Sequence, residues 1–438
     1  MTICRESFLN FAGRNNRYTK MQDNDTLYTK TDFANDKEAK RPTTERQRHL
    51  ILDILRGFAL MGIALANYPE FALWTFLSSE QQATMPTAET DKIVRFLQYL
   101  LVDGKFYTIF SLLFGVGFSL ILNRHGISLF LRRMIVLVCI GFVHLMFIWS
   151  GDILLLYAIG GLLLTLFVRF SNKSLLCIAT LLIFVPVVLD GFTEFYGTDF
   201  AAPLYDAWWR TASSKGITED NFAIWLRDAN TYPQMFAFLV QGAVERMWEF
   251  VEGHRLPKVL GLFIVGYVIG KNKLYTRIFE LPLCTLFFLS FIVGAPTSFL
   301  YACSAVGSHP WGGTIHSLLY AVSVIPLAFT YIFFICLLFT HNTLHGFFRM
   351  LAAPGRMALS NYIGQSLIGI FLFYGIGLGF GTSFGLIHIV LVAFAVFIFQ
   401  TFASRLWLSH FRFGVLEWLW RMLTYGRYFP IKKEKTET

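Results

Sequence analysis

Ten apolar stretches separated by short polar connections set the pattern of this chain. The first runs from Leu50 to about Leu77. The others cover roughly 98–122, 134–150, 152–170, 174–190, 257–271, 281–303, 314–340, 358–380 and 384–406. Most are long enough to cross a hydrocarbon core of about 30 Å at a rise of about 1.5 Å per residue. Inside a bilayer every backbone N–H and C=O must find a partner within the protein, so apolar spans must be helices. The pattern predicts an all-α, polytopic integral membrane protein with about ten transmembrane helices. Residues 1–48 are polar, of mixed charge and without apolar periodicity, and read as a flexible cytoplasmic tail. Residues 49–190 form a first bundle of five spans and residues 257–410 a second. Between them, 191–256 reads as an extracytoplasmic segment. Its Trp208, Trp209, Trp225 and Trp248 suggest amphipathic helices lying on the outer interface. Residues 411–438 form a basic cytoplasmic tail.

Composition excludes the soluble classes. The chain is 55% hydrophobic and 15% charged, against about 45–50% and about 25% in soluble domains. The net charge of +9 would suggest a polyanionic partner in a soluble protein. Here the basic residues sit in alternate connections: Arg124, Arg132 and Arg133, then Arg169 and Lys173, then Lys271, Lys273 and Arg277, then Arg349 and Arg356. Lys and Arg hold such loops on the cytoplasmic side, so both termini are expected inside. The partner this implies is the lipid bilayer, not nucleic acid. Five cysteines (Cys139, Cys177, Cys284, Cys303 and Cys336) lie in or at the ends of apolar stretches. They read as small hydrophobes rather than disulfide or metal partners. No metal-ligand spacing is found, and no metal is expected.

A small polar minority inside the apolar runs carries the candidate chemistry. Asp53 and Arg56 are three apart and share a helical face. Asn67 returns to that face three turns on, about 16 Å away along the axis. Lys105 enters the second span beside Asp103. His144 lies about two turns inside the third-to-fourth hairpin, and Asp152 opens the following helix, where a carboxylate suits the N-terminal dipole. Arg356, Ser360, Asn361 and Gln365 make a polar patch at the start of the ninth span, with Pro354 suited to its beginning. Ionisable groups within spans point to function. Snorkelling ion pairs at helix ends, a helix cap at Asp152, and Ser, Asn and Gln joining neighbouring helices account for the same residues structurally.

Four groups of residues carry a resemblance. They are Leu52-Asp53-Ile54-Leu55-Arg56-Gly57-Phe58-Ala59; Lys105-Phe106-Tyr107 with Phe110-Ser111-Leu112-Leu113-Phe114-Gly115; Gly141-Phe142-Val143-His144 with Trp149-Ser150-Gly151-Asp152-Ile153-Leu154; and Gly355-Arg356-Met357-Ala358-Leu359-Ser360-Asn361-Tyr362 with Gln365-Ser366. Together they resemble the YeiB-like bacterial inner-membrane family, domain of unknown function 418, over roughly 49–425. The first span is distantly similar to the transmembrane acyltransferase superfamily, whose Asp-x-x-Arg-Gly helix ends in Asn or His; Asn67 falls on that position. The superfamily's acetyltransferase-like members place a catalytic His shortly before or within the second span, and 78–105 here contains none.

This resemblance implies an enzyme moving an acyl group from a cytoplasmic donor, acyl-CoA, to an extracytoplasmic or lipid-linked acceptor. The expected roles are His144 as general base, Asp152 as its orienting partner and Asn67 as oxyanion donor. Asp53, Arg56, Lys105, Arg356, Ser360, Asn361 and Gln365 would bind substrate. A permease for a small polar or lipid-like solute, or a non-catalytic membrane protein, would use the same polar residues differently. Convergence of Arg56, Asn67, His144 and Arg356 on one cavity would favour the enzyme.

Overall fold

The computed structural model describes residues 50–340 and 344–433. The tail expected over 1–48 and the last five residues of the basic C-terminal tail lie outside them. Among the described residues the fold is helical, with one isolated bridge between Phe411 and Lys432 as its extended contact.

The first group comprises α1 (Leu50–Phe71), α2 (Ser79–Ala83), α3 (Ala88–Leu101), α4 (Lys105–Phe147), α5 (Leu154–Leu164) and α6 (Asn172–Tyr196). The middle segment forms α7 (Ala202–Ser213), α8 (Phe222–Asp228) and α9 (Tyr232–Glu252). The second group comprises α10 (Arg255–Lys271), α11 (Leu283–Val306), α12 (Gly313–Thr340), α13 (His345–Arg356), α14 (Ala358–Phe373), α15 (Leu386–His410) and α16 (Val415–Tyr425).

Among the described residues, six runs are long and apolar enough to cross a membrane: α1, the run Ala88–Phe147, α6, α11, α12 and α15. An all-α polytopic membrane protein is what these helices define. The run Ala88–Phe147 covers two of the expected spans, because α4 is a hairpin rather than a rod. Gly126 sits at φ 75 and ψ 178, outside helical geometry. A continuous helix would hold Phe118 and Phe130 about 18 Å apart; their ring centroids are 4.4 Å apart. Only glycine adopts that backbone conformation without penalty.

Three expected spans fall on helices too short to qualify. Over 152–170 the structure forms α5, of 11 residues. Over 257–271 it forms α10, of 17 residues. Over 358–380 it forms α14, of 16 residues. Pro354 also departs from its expected place: it lies inside α13, and α14 begins at Ala358.

The middle segment is helical and packs on the bundle. Its aromatics pack on one another: Trp208 stacks on Trp248 at 5.1 Å, and its indole N–H donates to Gln241 Oε1 at 2.5 Å. Helix α9 packs against α4 and α10. Cys139, Cys177, Cys303 and Cys336 are free thiols, as expected. Cys284 departs from that expectation and is disulfide-bonded.

Small residues let two crossings close tightly, as is usual where lipid gives helices no hydrophobic drive to associate. A Cβ on Gly57 would lie 1.9 Å from the Leu351 carbonyl oxygen, and one on Gly355 would lie 1.9 Å from that of Asp53. Helices α1 and α13 therefore touch backbone to backbone, which brings Arg56 and Arg356 to the same end of the bundle. Gly115 and Gly266 do the same for α4 and α10, where a Cβ would lie 2.2 Å from Phe263 O and 2.1 Å from Leu112 O.

Candidate functional site

A cavity of about 580 Å³ runs along the inner face of α1. One end is lined by Arg56, Arg133, Arg356, Glu417 and Trp420. The middle is apolar and aromatic, with Phe106, Phe110, Phe114 and Phe118 from α4 among its walls. The other end is lined by Asn67, Glu70, Arg246, Arg255, Lys258 and Tyr320. Arg56 and Glu70 are fourteen residues apart on α1, which separates the two ends by about 21 Å. All three short helices contribute wall residues: Tyr157 from α5, Lys258 from α10 and Tyr362 from α14. Short helices suit this position, because their ends deliver polar groups to a cavity rather than to lipid.

The arginine end is built by four elements. Arg56 Nη1 donates to Asp53 Oδ1 at 2.8 Å, and Asp53 itself is buried outside the wall. Arg133 lies 3.5 Å from the centroid of the Trp420 ring, whose indole N–H donates to the Arg133 carbonyl at 2.9 Å. Glu417 caps the start of α14, accepting from Leu359 N at 2.8 Å, Ser360 N at 3.0 Å and Ser360 Oγ at 2.5 Å. Arg56, Arg133 and Arg356 thus line one end together with Glu417. Three guanidiniums on one wall make a lining whose chemistry suits an anionic ligand.

The polar patch on α14 is turned away from the cavity. Asn361 Nδ2 donates to Ser404 Oγ at 2.9 Å and to Met357 O at 3.0 Å. Gln365 Nε2 donates to Gln400 Oε1 at 3.1 Å. Ser360 is held by Glu417. These three side chains join α14 to α15 and α16, and do not line the cavity expected to bind substrate. Lys105 is likewise buried outside the wall: its ammonium donates to Tyr99 O at 2.5 Å and lies 5.0 Å from the Tyr301 ring.

His144 is oriented as the sequence suggests but is sealed. Its Nδ1 lies 2.8 Å from Asp152 Oδ1, and Asp152 Oδ2 accepts from Leu155 N at 2.7 Å. Its Nε2 lies 3.0 Å from Ser366 Oγ. His144 and Ser366 are 0% exposed and Asp152 is 1% exposed. Tyr362 and Ile153 stand between this chain of hydrogen bonds and the cavity, and Ile153 N donates to Tyr362 Oη at 3.3 Å. Arg56, Asn67 and Arg356 share the cavity; His144 and Asp152 sit behind its wall. The His144 Nε2 faces the Ser366 hydroxyl and not the cavity.

The far end holds residues that the sequence reading passed over. Arg246 Nε donates to Ser150 O at 2.9 Å, and its Nη1 pairs closely with Glu249. Arg255 Nη2 lies 3.6 Å from the same carboxylate. Burial works against the Arg246 charge, but Glu249 and Glu70 hold it protonated. Burial, with Glu249 nearby, holds the Glu245 carboxyl well above the usual carboxylate range. Arg246 and Arg255 belong to a segment whose charges read as ordinary loop charges. Glu70 had a signal: it is one helical turn beyond Asn67 on the same face.

The fold and cavity define a polytopic α-helical membrane protein with a charged-ended internal site. Residues 271–427 match the family described as "Protein of unknown function (DUF418)". The chain is 27% identical to "Uncharacterized protein YxaH" of Bacillus subtilis (strain 168), across 90% of this chain and 98% of that protein. It is 29% identical to "Uncharacterized 39.9 kDa protein in amylase 3'region" of Bacillus acidopullulyticus, across 88% and 96%. It is 28% identical to "Uncharacterized protein YeiB" of Escherichia coli (strain K12), across 86% and 96%. The YeiB-like resemblance carried by the motifs therefore holds. No solved structure matches the chain.

Proposed function

We propose that this protein is an acyltransferase-like enzyme of the bacterial inner membrane, with its arginine end facing the cytoplasm. The observation that carries this reading is the single cavity with guanidiniums at one end, an apolar middle and a polar far end. Arg56, Arg133 and Arg356 bind the phosphates of a thioester donor such as acyl-CoA, the ligand chemistry that suits clustered guanidiniums. The apolar middle receives the donor's acyl-bearing arm. Asn67 donates its amide N–H to the oxyanion that forms when the acceptor attacks. His144 and Asp152 hold the wall that carries Tyr362, and do not touch the reacting atoms.

Titration of the purified protein with acetyl-CoA tests the reading. Arg356→Ala should weaken binding about 10- to 100-fold, the value of a hydrogen bond to a charged group. Absence of saturable binding to the unaltered protein overturns it. The length of the cavity also suits a permease. Uptake of a labelled solute into protein-loaded vesicles, with no acyl transfer, would select that reading instead.

A further inference from the structure

The far end of the cavity carries a second set of groups that donor binding does not use. We infer that it is an acceptor site for a hydroxylated compound bearing a phosphate, held by Lys258 and Arg255, with Glu70 as the base that takes the hydroxyl proton. The inference rests on the acyltransferase reading above and names its acceptor.

Five observations carry it. Lys258 lines the cavity and its ammonium lies 4.6 Å from the Tyr320 ring; among the described residues no carboxylate pairs with it. A buried ammonium is costly unless an anion joins it. Arg255 opens α10, so the first turn of that helix adds its dipole at the same wall. Arg255 and Arg246 both reach the Glu249 carboxylate, so neither has that carboxylate to itself. The Tyr107 hydroxyl is buried without a hydrogen-bond partner and belongs to a wall residue, so it can donate to the same ligand. Glu70 lies across from these cations, one turn beyond Asn67, and no described residue hydrogen-bonds its carboxylate.

The chemical step balances with these groups. The Glu70 carboxylate removes the acceptor O–H proton. The acceptor oxygen bonds to the thioester carbonyl carbon while Asn67 receives the oxyanion. The C–S bond breaks, and the thiolate takes the proton back from Glu70. The products are an ester and a free thiol.

Acceptor binding is measured on the full-length protein without donor. One arm uses glycerol 3-phosphate, with glycerol as the neutral control, in phosphatidylcholine nanodiscs. The other uses nanodiscs containing phosphatidylglycerol, read as thermal stabilisation, and separates a lipid headgroup from a soluble phosphate. Lys258→Ala should weaken whichever interaction is seen by about 10- to 100-fold, Lys258→Arg should preserve it, and Arg356→Ala should leave it unchanged. Insensitivity of both arms to Lys258→Ala overturns the site. Glu70→Gln should retain acceptor binding and slow transfer from acetyl-CoA about 100-fold or more; unchanged transfer overturns the base assignment. Loss of acetyl-CoA binding alone would count against the acyltransferase reading and not against this site.

Discussion

His144 meets Asp152 through one ring nitrogen and Ser366 through the other, with all three side chains buried. From the sequence it is an intramembrane histidine eight residues before an aspartate, a pair that suggests proton transfer. In the fold its hydrogen bonds tie α4, the start of α5 and α14 together behind Tyr362. Removing the imidazole would strand a buried carboxylate, which costs about 3–5 kcal/mol. His144→Ala should therefore lower the unfolding temperature in detergent sharply, and His144→Gln, which can keep one of the bonds, should lower it less. A variant that kept its stability but lost turnover would return the general-base role to His144. Glu70 makes the opposite case: the sequence offers it only as a neighbour of Asn67, and the open cavity beside it makes its carboxylate chemically available.

At the scale of elements, the apolar pattern located helices well and their ends less well. Hydropathy reports what a segment buries, not where a helix must stop. Gly126 reverses α4 inside the basic connection that carries Arg124, Arg132 and Arg133, so the break between the second and third spans was legible, while the helix itself runs on across the turn. Helix α14 starts at Ala358 because Glu417, 58 residues downstream of Leu359, accepts its first free N–H groups; no local signal contains that contact. The crossing of α1 and α13 depends on Gly57 and Gly355, where added atoms would enter the opposing backbone. Gly57→Leu should cost at least about 1–3 kcal/mol by overpacking. It should also weaken acetyl-CoA binding, since the crossing sets the positions of Arg56 and Arg356. Thermal unfolding and titration of one preparation measure both; unchanged values for both would place the crossing outside the site.

Across the whole molecule, the middle segment closes one end of the cavity. Helix α9 brings Glu245, Arg246 and Glu249 against the ends of α1 and α10, and this assembly predicts a pH dependence. The folded state holds Glu245 above its ordinary range through burial and Glu249, so it binds that proton more tightly than the unfolded chain. The protonated form is favoured at low pH. Stability is lost as pH rises from the ordinary carboxylate range through the raised folded value. Glu245→Gln should raise the unfolding temperature at neutral pH and make little difference near pH 4. A scan from pH 4 to 8 checks this; an equal shift at every pH would assign the gain to something other than ionisation.

The sequence by itself determined that this is an all-α membrane protein, because apolar length and backbone satisfaction leave no alternative in a bilayer. It also singled out Arg56, Asn67 and Arg356, since one helical face and one family motif carry them. Tertiary structure alone decided which polar residues meet open space. Asp53, Lys105, His144, Ser360, Asn361 and Gln365 have the same side-chain chemistry as wall residues, but packing turns them away from the cavity, most of them toward hydrogen-bond partners on neighbouring helices. Arg133, Arg246, Arg255 and Lys258 come from distant parts of the chain and share a cavity only after the helices pack. Periodicity records which face of a helix is apolar; it holds no information about which partner covers a polar group, and that contact decides whether the group supports the fold or remains able to bind.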